Sequence, residues 1–428
     1  MLKNEHEQLV KVISFWKDSL DKADLFDREI VNDIDVRSKE VIDLTGVRRS
    51  GKSSILKLLI KKLALSDNFI FINFEDPYFI EHNNPSVIEE IVEIYKEYFS
   101  HNLKYLFFDE IHVVKDWEKA VRKLRDSEKY KIFITGSSSK LLSREMSSLL
   151  TGRHLSYHIF PLSFREFLEF KKIRINTKKD VILNEKMLLK EFSEYLSIGG
   201  FPEIVITKNR PLLKQYFFDI VQKDILARYN IREMDILEKL GVNLITNSAK
   251  TFSIDAIRKT FNISFESASN YIGYFKDSFL IFELPQFSYS LKTQQKAPKK
   301  VYSVDTGLAN VVAFRFSEDK GRMLEQCVFL HLKRKYGEVY YYKTKVNGEV
   351  DFLVKNNPKD KKIIQTTWSL EDKDTRKREI GNLLVAMKEL SLKKGLILTY
   401  NWEEIINQGD KVIIAKPFYK YIFEDELN

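Results

Sequence analysis

Cysteine is almost absent from this 428-residue chain, which has one, Cys327. A lone thiol makes no internal disulfide and no thiolate zinc site, which fits a reducing compartment. Cys327 falls in the apolar pattern of Leu324 to Leu332, so buried core is the expected role. Long apolar runs are missing too. None approaches the roughly 20 residues that span a bilayer, and the opening Met-Leu-Lys-Asn-Glu-His-Glu lacks an apolar leader core. The expectation is a cytoplasmic chain with no membrane partner.

What is present is the composition of a packed protein: 44% hydrophobic and 31% charged residues. The length exceeds one ordinary core and predicts two or three domains. Lys and Arg outnumber Asp and Glu by 70 to 61, with a pI near 9.1. That excess is a solvated surface or an attraction to polyanions such as nucleic acid.

The most informative segment is Gly46-Val47-Arg48-Arg49-Ser50-Gly51-Lys52-Ser53. It follows the apolar run Val41 to Leu44 and precedes the helical pattern Ile55 to Ile60, giving strand, loop and helix. Glycines let the backbone wrap a phosphate with successive N–H groups turned inward, and a helix N-terminus adds its positive dipole end. Gly46, Val47, Arg48, Arg49, Ser50, Gly51, Lys52, Ser53 and Ser54 are therefore the candidate ATP-binding set. Lys52 is assigned to the β- and γ-phosphates and Ser53 to Mg²⁺.

Further strands are predicted at Phe69 to Phe74, Tyr105 to Phe108 and Lys131 to Thr135. The first ends in Glu75-Asp76-Pro77, a candidate site edge. The second runs into Asp109 and Glu110, as a buried parallel strand delivering carboxylates to a nucleotide crevice does. Asp109 is the expected Mg²⁺ ligand through water, and Glu110 the group that polarises the attacking water. After the third, Ser137 is the candidate polar sensor. Arg153, after Thr151-Gly152, is either an arginine finger, with an oligomer implied, or the partner of a nearby carboxylate.

Together these residues resemble the archaeal and bacterial ATP-binding proteins that join an AAA+-type P-loop domain to a C-terminal domain of unassigned function. Gly46 to Ser53, Phe74 to Pro77, Leu106 to His112, Thr135 to Ser139, Thr151 to Arg153, Pro161 to Phe167 and Tyr195 to Glu203 carry the resemblance. It implies an α/β fold with a five-stranded parallel sheet, an all-helical lid, and ATP hydrolysis coupled to another event. It also places Arg28-Glu29-Ile30 near the adenine.

Residues 236–310 suggest a winged helix. Ser253 and Ser264 are candidate N-caps of two helices, and Leu280 to Leu284 and Lys299 to Val304 are candidate wing strands. Asn270, Tyr271, Lys292, Lys296, Lys299 and Lys300 form the candidate nucleic-acid-binding set, with protein contact as the alternative use. Residues 311–428 resemble the PD-(D/E)XK nuclease fold, with Glu325 and Asp351 as candidate metal ligands. Period two puts Gln365 and Thr367 on one face beside Asp351, so Thr367 stands where that fold has lysine. The tail is thus either a degenerate fold that binds DNA or protein, or a metal-dependent nuclease.

The expected division is an ATPase core over 1–170, a lid over 171–235, the winged helix, and the nuclease-like domain. Three functions follow from it: a DNA-associated ATPase whose lid reorients the C-terminal modules, a nucleotide-switched signalling or scaffold protein gripping a protein partner, and an ATP-gated nuclease.

Overall fold

The structure is a computed structural model that describes residues 3–20, 25–137, 152–229, 231, 233–314, 319–355 and 361–426. It forms two compact units, one of residues 1–160 with 277–279 and one of the remainder.

The first unit is built on five parallel strands: β1 (Val41–Thr45), β2 (Phe69–Asn73), β3 (Tyr105–Asp109), β4 (Lys131–Gly136) and β5 (His154–His158). Their order is β2-β3-β4-β1-β5. β1 is buried at all five positions, and β2, β3 and β4 nearly so, because helices cover both faces of the sheet. Alternation along the strands sorts the side chains. Ile70, Ile72, Leu106, Phe108, Ile132 and Ile134 join the core under helices Lys3–Asp18, Ser86–Tyr98 and Trp117–Asp126, while Ile42, Leu44, Phe71, Phe107 and Phe133 pack against helix Lys52–Lys62. Phe107 and Phe133 stack with ring centres 4.6 Å apart. A buried Phe contributes roughly 1.5–3 kcal/mol, so these rings hold β3 and β4 in register where their ends carry polar groups.

The second unit begins with helices that include Lys178–Leu183, Glu185–Ile198, Pro202–Thr207 and Pro211–Asp219. Helices Met234–Thr246, Ile254–Phe261 and Phe265–Asp277 accompany a three-stranded antiparallel sheet of β6 (Lys250–Phe252), β7 (Ile281–Leu284) and β8 (Lys299–Ser303), in order β6-β8-β7. The Ser253 hydroxyl accepts the Ala256 N–H, and the Ser264 hydroxyl accepts the Ser267 N–H, so each oxygen satisfies a first-turn donor.

A mixed sheet completes the unit: β9 (Glu338–Lys343), β10 (Glu349–Lys355), β11 (Lys361–Thr366), β12 (Lys394–Thr399), β13 (Glu404–Gln408) and β14 (Lys411–Pro417), in order β13-β14-β12-β11-β10-β9. β9, β10 and β11 are antiparallel neighbours, and β11, β12 and β14 run parallel. Helices Lys320–Lys335 and Lys373–Glu389 pack against it. Cys327 is buried on the first of these, and burial pushes its thiol up to about 12.

Candidate functional site

Three neighbouring strands, β3, β4 and β1, end on the same edge of the first sheet, because parallel strands deliver all their carboxyl ends to one side. The loop after β1 is tightly wound. Gly46 has φ 152° and Gly51 φ 96°, and a Cβ on Gly46 would lie 2.2 Å from the Ile159 carbonyl oxygen. Arg49 adopts φ 68° and Glu110 φ 49°, left-handed conformations that non-glycine residues hold only at a cost of about 1–2 kcal/mol.

Lys52 is buried and points back into the loop, donating to the carbonyl oxygens of Gly46 and Val47 at 3.1 and 3.3 Å. Its ammonium lies 3.8 Å from Glu110 Oε1, and Glu110 Oε2 lies 3.3 Å from His112 Nδ1. Asp109 is fully buried. Burial first, and the neighbouring Glu110 carboxylate next, raise its carboxyl above the usual range, against the hydrogen bond from Thr135, the Ser53 hydroxyl and the charge of Lys52.

Two residues that read in the sequence as plain strand positions complete this centre. Thr135 Oγ1 donates to Asp109 Oδ1 at 2.6 Å and accepts the Glu110 N–H at 2.9 Å. Asn73 Nδ2 donates to Asp109 Oδ2 at 2.9 Å, since the parallel register sets Asn73 beside Asp109. Arg28 is buried and donates to the carbonyl oxygens of Ser50 and Phe160, bracing the loop. Arg48 pairs with Glu75 at 2.8 Å, whereas Asp76 caps the helix beginning at Pro77.

The residues fit a magnesium-bound nucleoside triphosphate on local grounds. The Ser50 hydroxyl oxygen is buried without a hydrogen-bond partner, the glycine at 46 leaves no room for a side chain, and Lys52 is held by weak carbonyl contacts. Ser53 and Asp109 would hold the ion and Lys52 the phosphates.

Ser137 follows β4 directly and is buried on the same edge. Arg153 is placed differently. It precedes β5, at the edge where the strands begin, and binds Asp126 at 2.9 and 3.1 Å. Its backbone carbonyl accepts the Val41 N–H, five residues before Gly46 on β1. Arg153 thus stands at the opposite end of β1 from the loop, in the carboxylate pairing that was the alternative expectation for it. Ser138, Ser139 and Thr151 lie outside the described residues.

The candidate nucleic-acid set divides. Asn270, Lys292 and Lys296 are exposed, the lysines on the short helix Leu291–Lys296 between β7 and β8. Lys299 is half-buried and paired with Glu283 at 2.9 Å. Two expectations are corrected. Tyr271 faces the core of its helix bundle, and its hydroxyl donates to Glu233 at 3.0 Å. Lys300 is 3% exposed, because successive strand residues face opposite sides and only one of the Lys299–Lys300 pair reaches the surface. Its ammonium instead meets Glu325 at 3.0 Å, Glu349 at 2.9 Å and Asp351 at 3.2 Å.

The β11 expectation also changes. Thr366, not Thr367, approaches the Asp351 carboxylate, giving Oδ2 its N–H at 2.9 Å and its hydroxyl at 2.6 Å. Gln365 accepts the Asp351 N–H and donates to Glu379, while the Thr367 hydroxyl turns to the Ser369 carbonyl. The strand ends at Thr366, so period two no longer governs Thr367. Among the described residues no group of three or more acidic, histidine or cysteine side chains is arranged to hold a metal ion.

The fold and site thus define a P-loop domain of the AAA type in the first unit. Residues 38–168 match the family described as an AAA domain, 189–319 a domain of unknown function designated DUF8612, and 320–421 another designated DUF4143. The chain is 38% identical to the uncharacterized protein MJ1544 of Methanocaldococcus jannaschii, over 94% of this chain and 96% of that one, and it belongs to that protein's family. It is 29% identical to an uncharacterized protein of Haemophilus influenzae, over 86% and 92% of the two chains. Among solved structures, the Aeropyrum pernix Orc1 protein in complex with DNA matches at TM-score 0.27 and 11% identity, over 72% of this chain and 91% of that chain. No helix among the described residues is long and apolar enough to cross a membrane.

Proposed function

We propose that this chain binds and hydrolyses MgATP and couples turnover to DNA held by its second unit. The observation that carries the first part is the meeting of Lys52, Asp109, Glu110 and Thr135 at one sheet edge beside the glycine-bounded loop. In this reading Ser53 and Asp109 hold Mg²⁺, Glu110 polarises the attacking water and Ser137 senses the γ-phosphate. Arg153 acts on a neighbouring copy, which makes a homo-oligomer part of the proposal.

The three helices and three-stranded sheet serve as a winged helix, and the six-stranded module as a nuclease-like fold that does not cut. Support for DNA comes from the connection between β7 and β8, where Tyr289, Lys292 and Lys296 are exposed and Lys361 lies 4.8 Å from the Tyr289 ring centre. Cations beside an exposed aromatic ring suit a phosphate backbone and an unstacked base. The same connection exposes Leu291 at 74%, which favours the second reading, a protein partner.

The test is steady-state ATP hydrolysis with and without single- and double-stranded DNA at low salt, with Lys52→Ala as the blank. Several-fold stimulation supports DNA as the coupled ligand. A Lys52-dependent rate indifferent to DNA removes DNA from the proposal and leaves the protein partner.

A further inference from the structure

The acidic centre of the second unit already contains a cation. Glu325 projects from helix Lys320–Lys335, and Glu349 and Asp351 from β10, yet their carboxylates converge on Lys300, which belongs to β8 of the other sheet. An ammonium has three N–H donors and no acceptor. Glu325 and Asp351 accept hydrogen bonds from it at 3.0 and 3.2 Å, and the Glu349 carboxylate pairs with it at 2.9 Å, so three acids face this one cation. The carboxylates are committed elsewhere as well. Tyr302, two residues along β8, donates its hydroxyl to Glu325 Oε1 at 2.7 Å, and Thr366 takes Asp351 Oδ2 twice.

Removing one partner from a buried ionic group leaves the others uncompensated at a cost of several kcal/mol. A divalent ion among these acids would need oxygens at about 2.0–2.6 Å, where the ammonium now stands. We propose that Lys300 is the resident cation of this centre, replacing the divalent metal ion and leaving a lysine-neutralised junction between the two sheets that does not cleave nucleic acid. From β11 it is Thr366, not a lysine, that approaches Asp351, and the lysine of this centre comes from β8.

The experiment uses the full-length, nucleotide-free protein and Tb³⁺ as the probe, excited through the tyrosines, since Tyr302 touches Glu325. Wild-type protein is expected to show no saturable, Asp351-dependent Tb³⁺ emission. Lys300→Met, with folding checked by circular dichroism, is expected to gain one site at least about tenfold tighter than any in the wild type, because affinity follows the uncompensated ligand charge. The double variant Lys300→Met/Asp351→Asn is expected to lose that site again. A folded Lys300→Met protein that gains no site overturns the proposal. So does stoichiometric uptake of Mn²⁺ by the wild type that Asp351→Asn abolishes, or plasmid nicking that both Lys300→Met and Asp351→Asn abolish. The wild-type measurements decide the matter even if Lys300→Met fails to fold, and none of them depends on the ATP site.

Discussion

Thr135 binds Asp109 and Glu110 through a single hydroxyl, giving its proton to the first and accepting the backbone N–H of the second. Both acids of the proposed ATP centre are therefore oriented from the next strand. Thr135→Val keeps the shape and removes both bonds, leaving a buried N–H and a buried carboxylate each one partner short. The expected result is a loss of stability of about 1–3 kcal/mol and at least a tenfold fall in ATP turnover. Urea denaturation and steady-state kinetics measure the two effects. Unchanged turnover would remove Thr135 from the site.

Glu110→Gln separates binding from hydrolysis. The amide preserves size and the left-handed backbone at this position but cannot take up a proton. Nucleotide binding, followed by isothermal titration, is expected to persist while the rate falls by about 10²-fold or more, the scale of a lost general base. Loss of binding in step with the rate would instead make Glu110 part of the nucleotide cradle.

Asp43 sets a pH dependence in the first unit. It lies inside β1, 1% exposed, with Oδ2 accepting from Ser156 at 2.8 Å and Oδ1 buried without a partner. Burial pushes its carboxyl up to about 6, against the Ser156 hydrogen bond. A raised folded value means that its contribution to stability is complete below the unfolded value near 3.9 and is lost as pH rises through about 6. Asp43→Asn does not titrate. It is expected to exceed the wild type in stability at pH 7 by about 3 kcal/mol, with the difference closing by pH 4. Denaturant titrations at the two pH values check the sign.

Gly199 and Asp305 form a close contact in the second unit. Gly199 has φ 78°, and a Cβ there would lie 2.1 Å from Asp305 Oδ1, whose carboxylate accepts the Gly200 and Leu308 N–H groups at 2.7 and 2.8 Å. Gly199→Ala combines backbone strain with displacement of a buried acceptor. A loss of more than about 2 kcal/mol is expected, read as a lowered midpoint in thermal or urea unfolding.

Lys292→Ala/Lys296→Ala tests the DNA surface. Each phosphate that a lysine no longer neutralises lowers the salt slope by about 0.9, so weaker binding with a shallower salt dependence is expected in fluorescence anisotropy. Tyr271→Phe is expected to leave DNA affinity unchanged, since that hydroxyl is engaged by Glu233. Equal effects from the two variants would argue against the exposed connection as the binding surface.

The sequence by itself determined the AAA+ domain. Its strands are continuous apolar runs, its phosphate loop is a local pattern whose glycines are required by backbone geometry, and Asp109 and Glu110 follow a strand directly. Such features depend on neighbours within a few residues and are legible in one dimension. What the tertiary structure alone decided were choices between faces and between strands far apart in the chain. Thr135 and Asn73 became site residues because parallel register set them beside Asp109, 26 and 36 residues away. Arg153 was assigned to the opposite sheet edge by the direction of β5. Lys299 and Lys300 look alike in sequence, yet the pleat sends one toward solvent and the other into three carboxylates, one of them 51 residues distant. Charge counts and spacing do not encode which side of a strand is covered. That is settled only when another sheet packs against it.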